Sequence, residues 1–210
     1  MCRAARQCSR LGGTFVVTII ASGMPEVTEV PGDSSPAWEI DRAGFLLQAQ
    51  HLDSPNADER PHGTVISLLV IHGISLPAGQ FEGDAVERLF TNRLDCDSHP
   101  DFAILRDLRV SAHFYIRRDG SVCQFVSCLR RAWHAGVSSW QGRSRCNDFS
   151  IGVELQGTDA LPYQSAQYQA LRQLRQAVQA RFPIDSVVGH ADIAPGRKTD
   201  PGTAFDWAQL

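Results

Sequence analysis

The sequence predicts a single-domain α/β fold, and three stretches carry that expectation. Residues 66–72 are apolar on both faces, the pattern of a central strand buried on both sides. Residues 149–155 alternate, with Phe149, Ile151, Val153 and Leu155 facing one way and Ser150, Gly152 and Glu154 the other. From residue 165, Ala170, Leu171, Leu174, Ala177, Val178 and Phe182 recur at helical spacing before Pro183, and a short apolar strand at 187–188 follows.

Length and composition agree with one soluble domain. The 210 residues suffice for a sizeable core and fall short of two ordinary domains. With 43% hydrophobic residues, 20% charged residues and a formal net charge of −3, the chain lacks the basic excess of a nucleic-acid binder. Local basic pairs, Arg130/Arg131 and Arg143/Arg145, leave a small polar substrate open. The six cysteines form no CxxC pair, which argues against a structural zinc knuckle and for reduced packing residues.

The first 23 residues have two readings. Arg3, Arg6 and Arg10 precede an apolar run ending in Ala21-Ser22-Gly23, the outline of a secretory signal, too short to span a bilayer. Gly12-Gly13 and two threonines weaken that run. The favoured reading is an over-extended translation start, with Met24 as the true first residue. Residues 25–60 show little regular pattern, and Trp38, Ile40, Phe45 and Leu46 are the expected anchors of this arm.

Further on, Asp84 and Glu87 have the spacing of a helix N-cap and its partner. Residues 112–116 and 122–126 flank Arg118-Asp119-Gly120, a hairpin signal. Residues 129–148 are expected as one long loop, a length that is usually functional. In the alternating strand, Ser150 and Gly152 beside Glu154 should leave room for a ligand above the sheet. Ser165 is the expected cap of the amphipathic helix.

The chemistry concentrates in residues 187–202. A short strand there becomes a loop bearing His190, Lys198 and Asp200. Pro201 biases Asp200 toward an extended conformation, so Lys198 and Asp200 should share a side. His72 falls at the C-terminal end of the buried strand, where ligands of open α/β sheets usually bind. His72, His190 and Asp200 would make a two-histidine, one-carboxylate set with one position left for water, which suits zinc. Glu154 would then take a proton from that water and pass it to a leaving amine, and Lys198 would stabilise an oxyanion. On pattern alone a turn-rich surface loop with incidental charges explains the same residues. His113 and His134 also remain open as rival ligands.

At these residues the chain resembles a family. Residues 70–77 (VIHGISLP), 109–114 (RVSAHF), 131–136 (RAWHAG), 145–154 (RCNDFSIGVE) and 189–202 (GHADIAPGRKTDPG) together resemble the zinc N-acetylmuramoyl-L-alanine amidases, in particular those of peptidoglycan recycling that act on 1,6-anhydro muropeptides. The resemblance covers about residues 37–207. It implies a central mixed sheet flanked by helices, a fold shared with peptidoglycan-recognition proteins. It implies one zinc ion on His72, His190 and Asp200, with Glu154 and Lys198 catalytic, and it maps substrate arginines onto Arg109 and Arg145. The expected organisation is an N-terminal extension over 1–36, poorly ordered or a mis-assigned start, and an amidase domain over 37–210. The expected protein is a cytoplasmic monomer whose partner is a small muropeptide, with no nucleic acid and no membrane; it is periplasmic if residues 1–23 are a real signal.

Two positions depart from the family pattern. Gly73 stands where the motif has asparagine, and Asp101 where close relatives carry an aromatic residue. A rival of another class is a non-catalytic peptidoglycan-recognition module, which typically lacks a zinc ligand. Here all three ligand positions are filled. An extracellular lytic amidase is the third reading, and the recycling-type motifs count against it.

Overall fold

The structure is a computed structural model, and it describes residues 15–19, 25–29 and 37–210. The chain divides into two compact units, Met1–Pro36 and Ala37–Leu210. In the first, Phe15–Ile19 pairs antiparallel with Pro25–Glu29. The expectations placed on residues 1–24, and on Cys2 and Cys8, otherwise lie outside the described residues.

The second unit is built on six strands: β1 (Gln50–His51), β2 (Leu68–Ile74), β3 (Phe114–Ile116), β4 (Val122–Gln124), β5 (Ser150–Gln156) and β6 (Ser186–Gly189). Their order across the sheet is β6-β2-β5-β3-β4-β1. The β6–β2, β2–β5 and β5–β3 pairs are parallel, β3–β4 is the expected antiparallel hairpin, and β1 lies parallel to β4. The sheet is therefore mixed. Its central strands β2 and β5 place Glu154 directly beside His72.

One face of the sheet is covered by α2 (Ser165–Arg181). Leu69, Ile71, Phe114, Ile116, Ile151, Val153 and Leu155 pack there against Ala170, Leu171, Leu174, Ala177 and Val178. These are the helix positions that the periodicity selects, and each buried leucine contributes about 1.5–3 kcal/mol. The helix stops at Phe182, whose extended backbone is what Pro183 requires of the residue before it. Ser165 is its first residue rather than its cap; Gln164 holds the cap position, and Gln167 Oε1 accepts from the Gln164 N–H (3.0 Å). Three of the four expected anchors hold the arm, with Ile40 and Leu46 buried and Trp38 packed on the same core, while Phe45 is half-buried against His51.

Three further local expectations fail. Phe149 precedes β5 and packs with Leu68, Val70 and Val188 on the opposite face from Ile151, beneath the Arg143 guanidinium (3.7 Å). The Asp84/Glu87 pair forms no capping box at α1 (Ala85–Phe90): Asp84 accepts instead from Arg88 Nε (2.8 Å), and buried Glu87 from Arg117. Residues 129–148 are not a plain loop. Arg131–Ala132 pairs with Ala57–Asp58, and Ser139–Trp140 pairs with Arg143–Ser144. Arg130 and Arg131 are committed to acids here, Arg130 to Glu59 and Arg131 to Asp58 and Asp148. The described cysteines 96, 123, 128 and 146 are free thiols.

Candidate active site

The sheet face opposite α2 carries the polar residues of the central strands. His72 lies on β2, and His190 opens α3 (His190–Ile193), a single helical turn where an irregular loop was expected. Asp200 follows seven residues after that turn, its backbone carbonyl accepting from Ala191 N (3.0 Å). Three donor atoms meet: His72 Nδ1 and His190 Nδ1 stand 2.9 Å apart, and Asp200 Oδ2 lies 3.2 Å and 3.1 Å from them.

The far nitrogens of the rings decide what that triangle is. His190 Nε2 faces the Ala135 carbonyl oxygen (3.1 Å), which only accepts, so Nε2 carries the proton. His72 Nε2 faces His134 Nδ1 (2.9 Å), and His134 Nε2 faces Ser150 Oγ (3.1 Å). With His134 donating to Ser150, its Nδ1 accepts from His72. In that arrangement both histidines of the triangle turn an Nδ1 lone pair toward each other and toward a carboxylate oxygen. Burial also keeps His72 neutral, its pKa pushed down to about 4. Three electron pairs so placed, in a mostly buried triangle with edges near 3 Å, favour a cation among them. Such edges match ligand bonds of about 2.0–2.2 Å to zinc, and the donor set is one that zinc takes.

Beside the triangle opens a cleft of about 440 Å³ whose lining includes Gly73, Trp133, Glu154, Lys198, Asp200 and Arg109. Glu154 Oε2 is buried and has no hydrogen-bond partner among the described residues. Burial first, then the nearby Asp200 charge, raises its pKa well above the usual carboxylate range, and Lys198 partly offsets the shift. A carboxyl with a high proton affinity and a free oxygen therefore sits next to the triangle. Lys198 is exposed on the same wall.

Residues 62–203 match the family described as N-acetylmuramoyl-L-alanine amidase. The chain belongs to this family. It is similar to the 1,6-anhydro-N-acetylmuramyl-L-alanine amidase AmpD of Salmonella typhimurium (strain SL1344), with 55% identity over 169 residues, 80% of this chain and 90% of that protein. A crystal structure of a selenomethionine AmpD derivative aligns with a TM-score of 0.78 at 54% identity, covering 80% of this chain and 94% of that one. The amidase AmiD of E. coli, solved with the substrate anhydro-N-acetylmuramic acid-L-Ala-D-gamma-Glu-L-Lys, aligns with a TM-score of 0.51 at 32% identity over 81% of this chain and 63% of that one. The amidase is thus a hydrolase with the mixed-sheet α/β fold that its residues 37–207 resembled.

Of the expected site residues in this amidase, His72, His190, Asp200, Glu154 and Lys198 come together, and Arg109 reaches the cleft wall, where its Nη1 donates to the carbonyls of Arg106 and Leu108 (3.0 Å each). Arg145 is not among the cleft-lining residues; it is exposed and paired with Asp148 (3.2 Å). The rival histidines are accounted for elsewhere. His113 Nδ1 accepts from Gly152 N (3.0 Å) while its Nε2 faces the Arg130 carbonyl (3.1 Å), and His134 lies behind His72.

The room expected above Ser150 and Gly152 is taken by the His134 ring: a Cβ on Gly152 would come within 2.5 Å of His134 Cγ. At the departure Gly73, a Cβ would run into the Tyr163 hydroxyl, which donates to the Pro201 carbonyl (2.9 Å). Asp101 is exposed and lies outside the cleft lining. Sequence reasoning missed Arg60. Its half-buried guanidinium donates to the carbonyls of Cys128 (3.1 Å), Asn147 (3.1 Å), Asp148 (2.8 Å) and Ser150 (2.8 Å), drawing both ends of the 129–148 segment to the site.

Proposed function

We propose that this amidase cleaves the amide between the lactyl group of N-acetylmuramic acid, preferably in its 1,6-anhydro form, and L-alanine of a muropeptide, with one zinc ion held by His72, His190 and Asp200. The observation that carries the metal assignment is the pair of Nδ1 atoms facing one carboxylate oxygen across about 3 Å. The sugar preference is supported by the similarity to AmpD. When bound, zinc would supply Lewis acidity toward the carbonyl and lower the pKa of water to about 7.

The chain's own groups supply the rest. Glu154, through its unpartnered Oε2, accepts the proton of the attacking water. It returns that proton to the alanine nitrogen as the C–N bond breaks and the lactyl carboxylate forms. Lys198 Nζ offsets the negative charge that develops on the carbonyl oxygen. Arg109 on the cleft wall pairs with a peptide carboxylate. Arg145 can share that role only by leaving Asp148. The reading includes a role in peptidoglycan recycling, a monomer and a cytoplasmic location; among the described residues no helix is long and apolar enough to cross a membrane.

The test is a digest of anhydro- and non-anhydro-muropeptides with and without chelator, set beside Asp200→Ala. Chelator should abolish the release of L-alanine peptides, and Asp200→Ala should lose zinc and activity together. A variant that keeps stoichiometric zinc by elemental analysis refutes the ligand set.

A further inference from the structure

Both imidazoles of the triangle are oriented by two consecutive residues of one short strap. His72 Nε2 meets His134 Nδ1 (2.9 Å), and His190 Nε2 donates to the carbonyl of Ala135 (3.1 Å). The strap has no ladder of its own, because it lies between the short strands Arg131–Ala132 and Ser139–Trp140. Beside the local bond from Ser138 Oγ to the Gly136 carbonyl (3.2 Å), two side chains from other segments, touching neither imidazole, hold it. Asn147 Oδ1 accepts from the backbone N–H groups of both His134 (3.2 Å) and Ala135 (2.8 Å). Arg197 Nη2 donates to the carbonyls of Ala135 (2.8 Å) and Val137 (2.7 Å).

Ala135 is therefore fixed at each polar atom. Its N–H goes to Asn147, and its carbonyl, with two lone pairs, takes both Arg197 and His190. Arg197 sits three residues before Asp200, on the segment that brings the third donor. One guanidinium thus ties the carboxylate's loop to the strap that aims the histidines.

We infer that Asn147 and Arg197 are positioning residues of the metal centre, which hold the 134–137 strap so that both histidines keep Nε2–H and present Nδ1. The inference rests on the metal assignment proposed above. The proton position on an imidazole follows from the hydrogen bond its other nitrogen makes, and partners of this kind typically govern metal affinity by about 10- to 100-fold. A strap that wanders lets each ring sample the Nδ1–H form, which cannot ligate through that atom.

Asn147 and Arg197 also line the cleft, so activity alone does not separate aiming from substrate contact. The readouts are zinc affinity by chelator competition and long-range 1H–15N imidazole spectra of the metal-free protein, for Asn147→Ala and Arg197→Met. Both variants should weaken zinc binding by roughly 10- to 100-fold. Their His190 signal should change from a single Nε2–H form to a mixture, and in Asn147→Ala the His72 signal should follow. Unchanged zinc affinity with unchanged tautomers overturns the inference. Arg197 is exposed, so Arg197→Met carries the test if Asn147→Ala fails to fold. A wild-type protein that binds no zinc overturns the metal assignment instead, and the metal-free tautomer spectra then decide the strap by themselves.

Discussion

At the residue scale the site sets two groups of opposite charge against one another. Glu154 is buried with a free oxygen, and burial and Asp200 both make it harder to ionise, while Lys198 opposes them. A group so placed takes up a proton readily and, once protonated, gives it to a leaving amine. Glu154→Gln keeps the shape and loses the proton acceptor, so it should retain zinc and lose turnover by about 10²-fold or more. Near-normal kcat in a zinc-replete variant would assign the proton transfer to another group. Lys198 is a different case, because an ammonium near a dication is unfavourable until negative charge develops between them. Its contribution should therefore appear in the transition state and not in the bound substrate. Lys198→Met should lower kcat by roughly 10²- to 10³-fold with KM nearly unchanged. A large rise in KM at constant kcat would make Lys198 a substrate-binding residue.

At the element scale, what was legible in the sequence was what repeats with a period or falls on a motif. The faces of β2, β5 and α2 follow from alternation and helical spacing, because burial on one side of a regular element leaves that trace. His72, His190, Asp200, Glu154 and Lys198 stood out because they sit at strand ends and on a Pro- and Gly-rich loop. Arg60 left no trace, since the four carbonyls it donates to lie 68 to 90 residues away and carbonyls have no sequence signature. His134 was ambiguous for a related reason: Gly152 and Ser150 announce a close neighbour above the sheet without saying whether it is a ligand or a ring of the same chain. Arg60→Met would leave these partly buried carbonyls without their donor, so a loss of about 1–3 kcal/mol is expected in urea unfolding. The Arg131 pairing with Asp58 gives a milder, pH-dependent effect. The hydrogen bond from Arg131 lowers the Asp58 pKa below its unfolded value, so its stabilisation is complete above about pH 4 and fades as the pH falls through the lower folded value. Asp58 is partly exposed, so Asp58→Asn should cost only about 0.5–1 kcal/mol at neutral pH and nothing in strong acid.

At the scale of the whole molecule, the unit Ala37–Leu210 holds the six-stranded sheet, α2 and all the residues of the site. All three clusters of buried apolar side chains among the described residues also fall within it. The similarity to AmpD spans 169 residues, about the length of that unit. Hydrophobic burial is the main favourable term in folding, so a chain that retains these clusters retains its driving force. Two truncations follow, one beginning at Met24 and one at Ala37. Both should unfold cooperatively at the temperature of the full chain, bind zinc with the same affinity and release L-alanine peptides at the same rate. The Met24 chain also tests the proposed start of translation, since the protein purified from its own cells should then begin at Met24 and fractionate with the cytosol. A native protein processed near Gly23 and recovered from the periplasm would instead make residues 1–23 a signal and move the reaction outside the cytoplasm. A loss of melting temperature in the Ala37 chain, with the Met24 chain unaffected, would assign residues 24–36 a stabilising role.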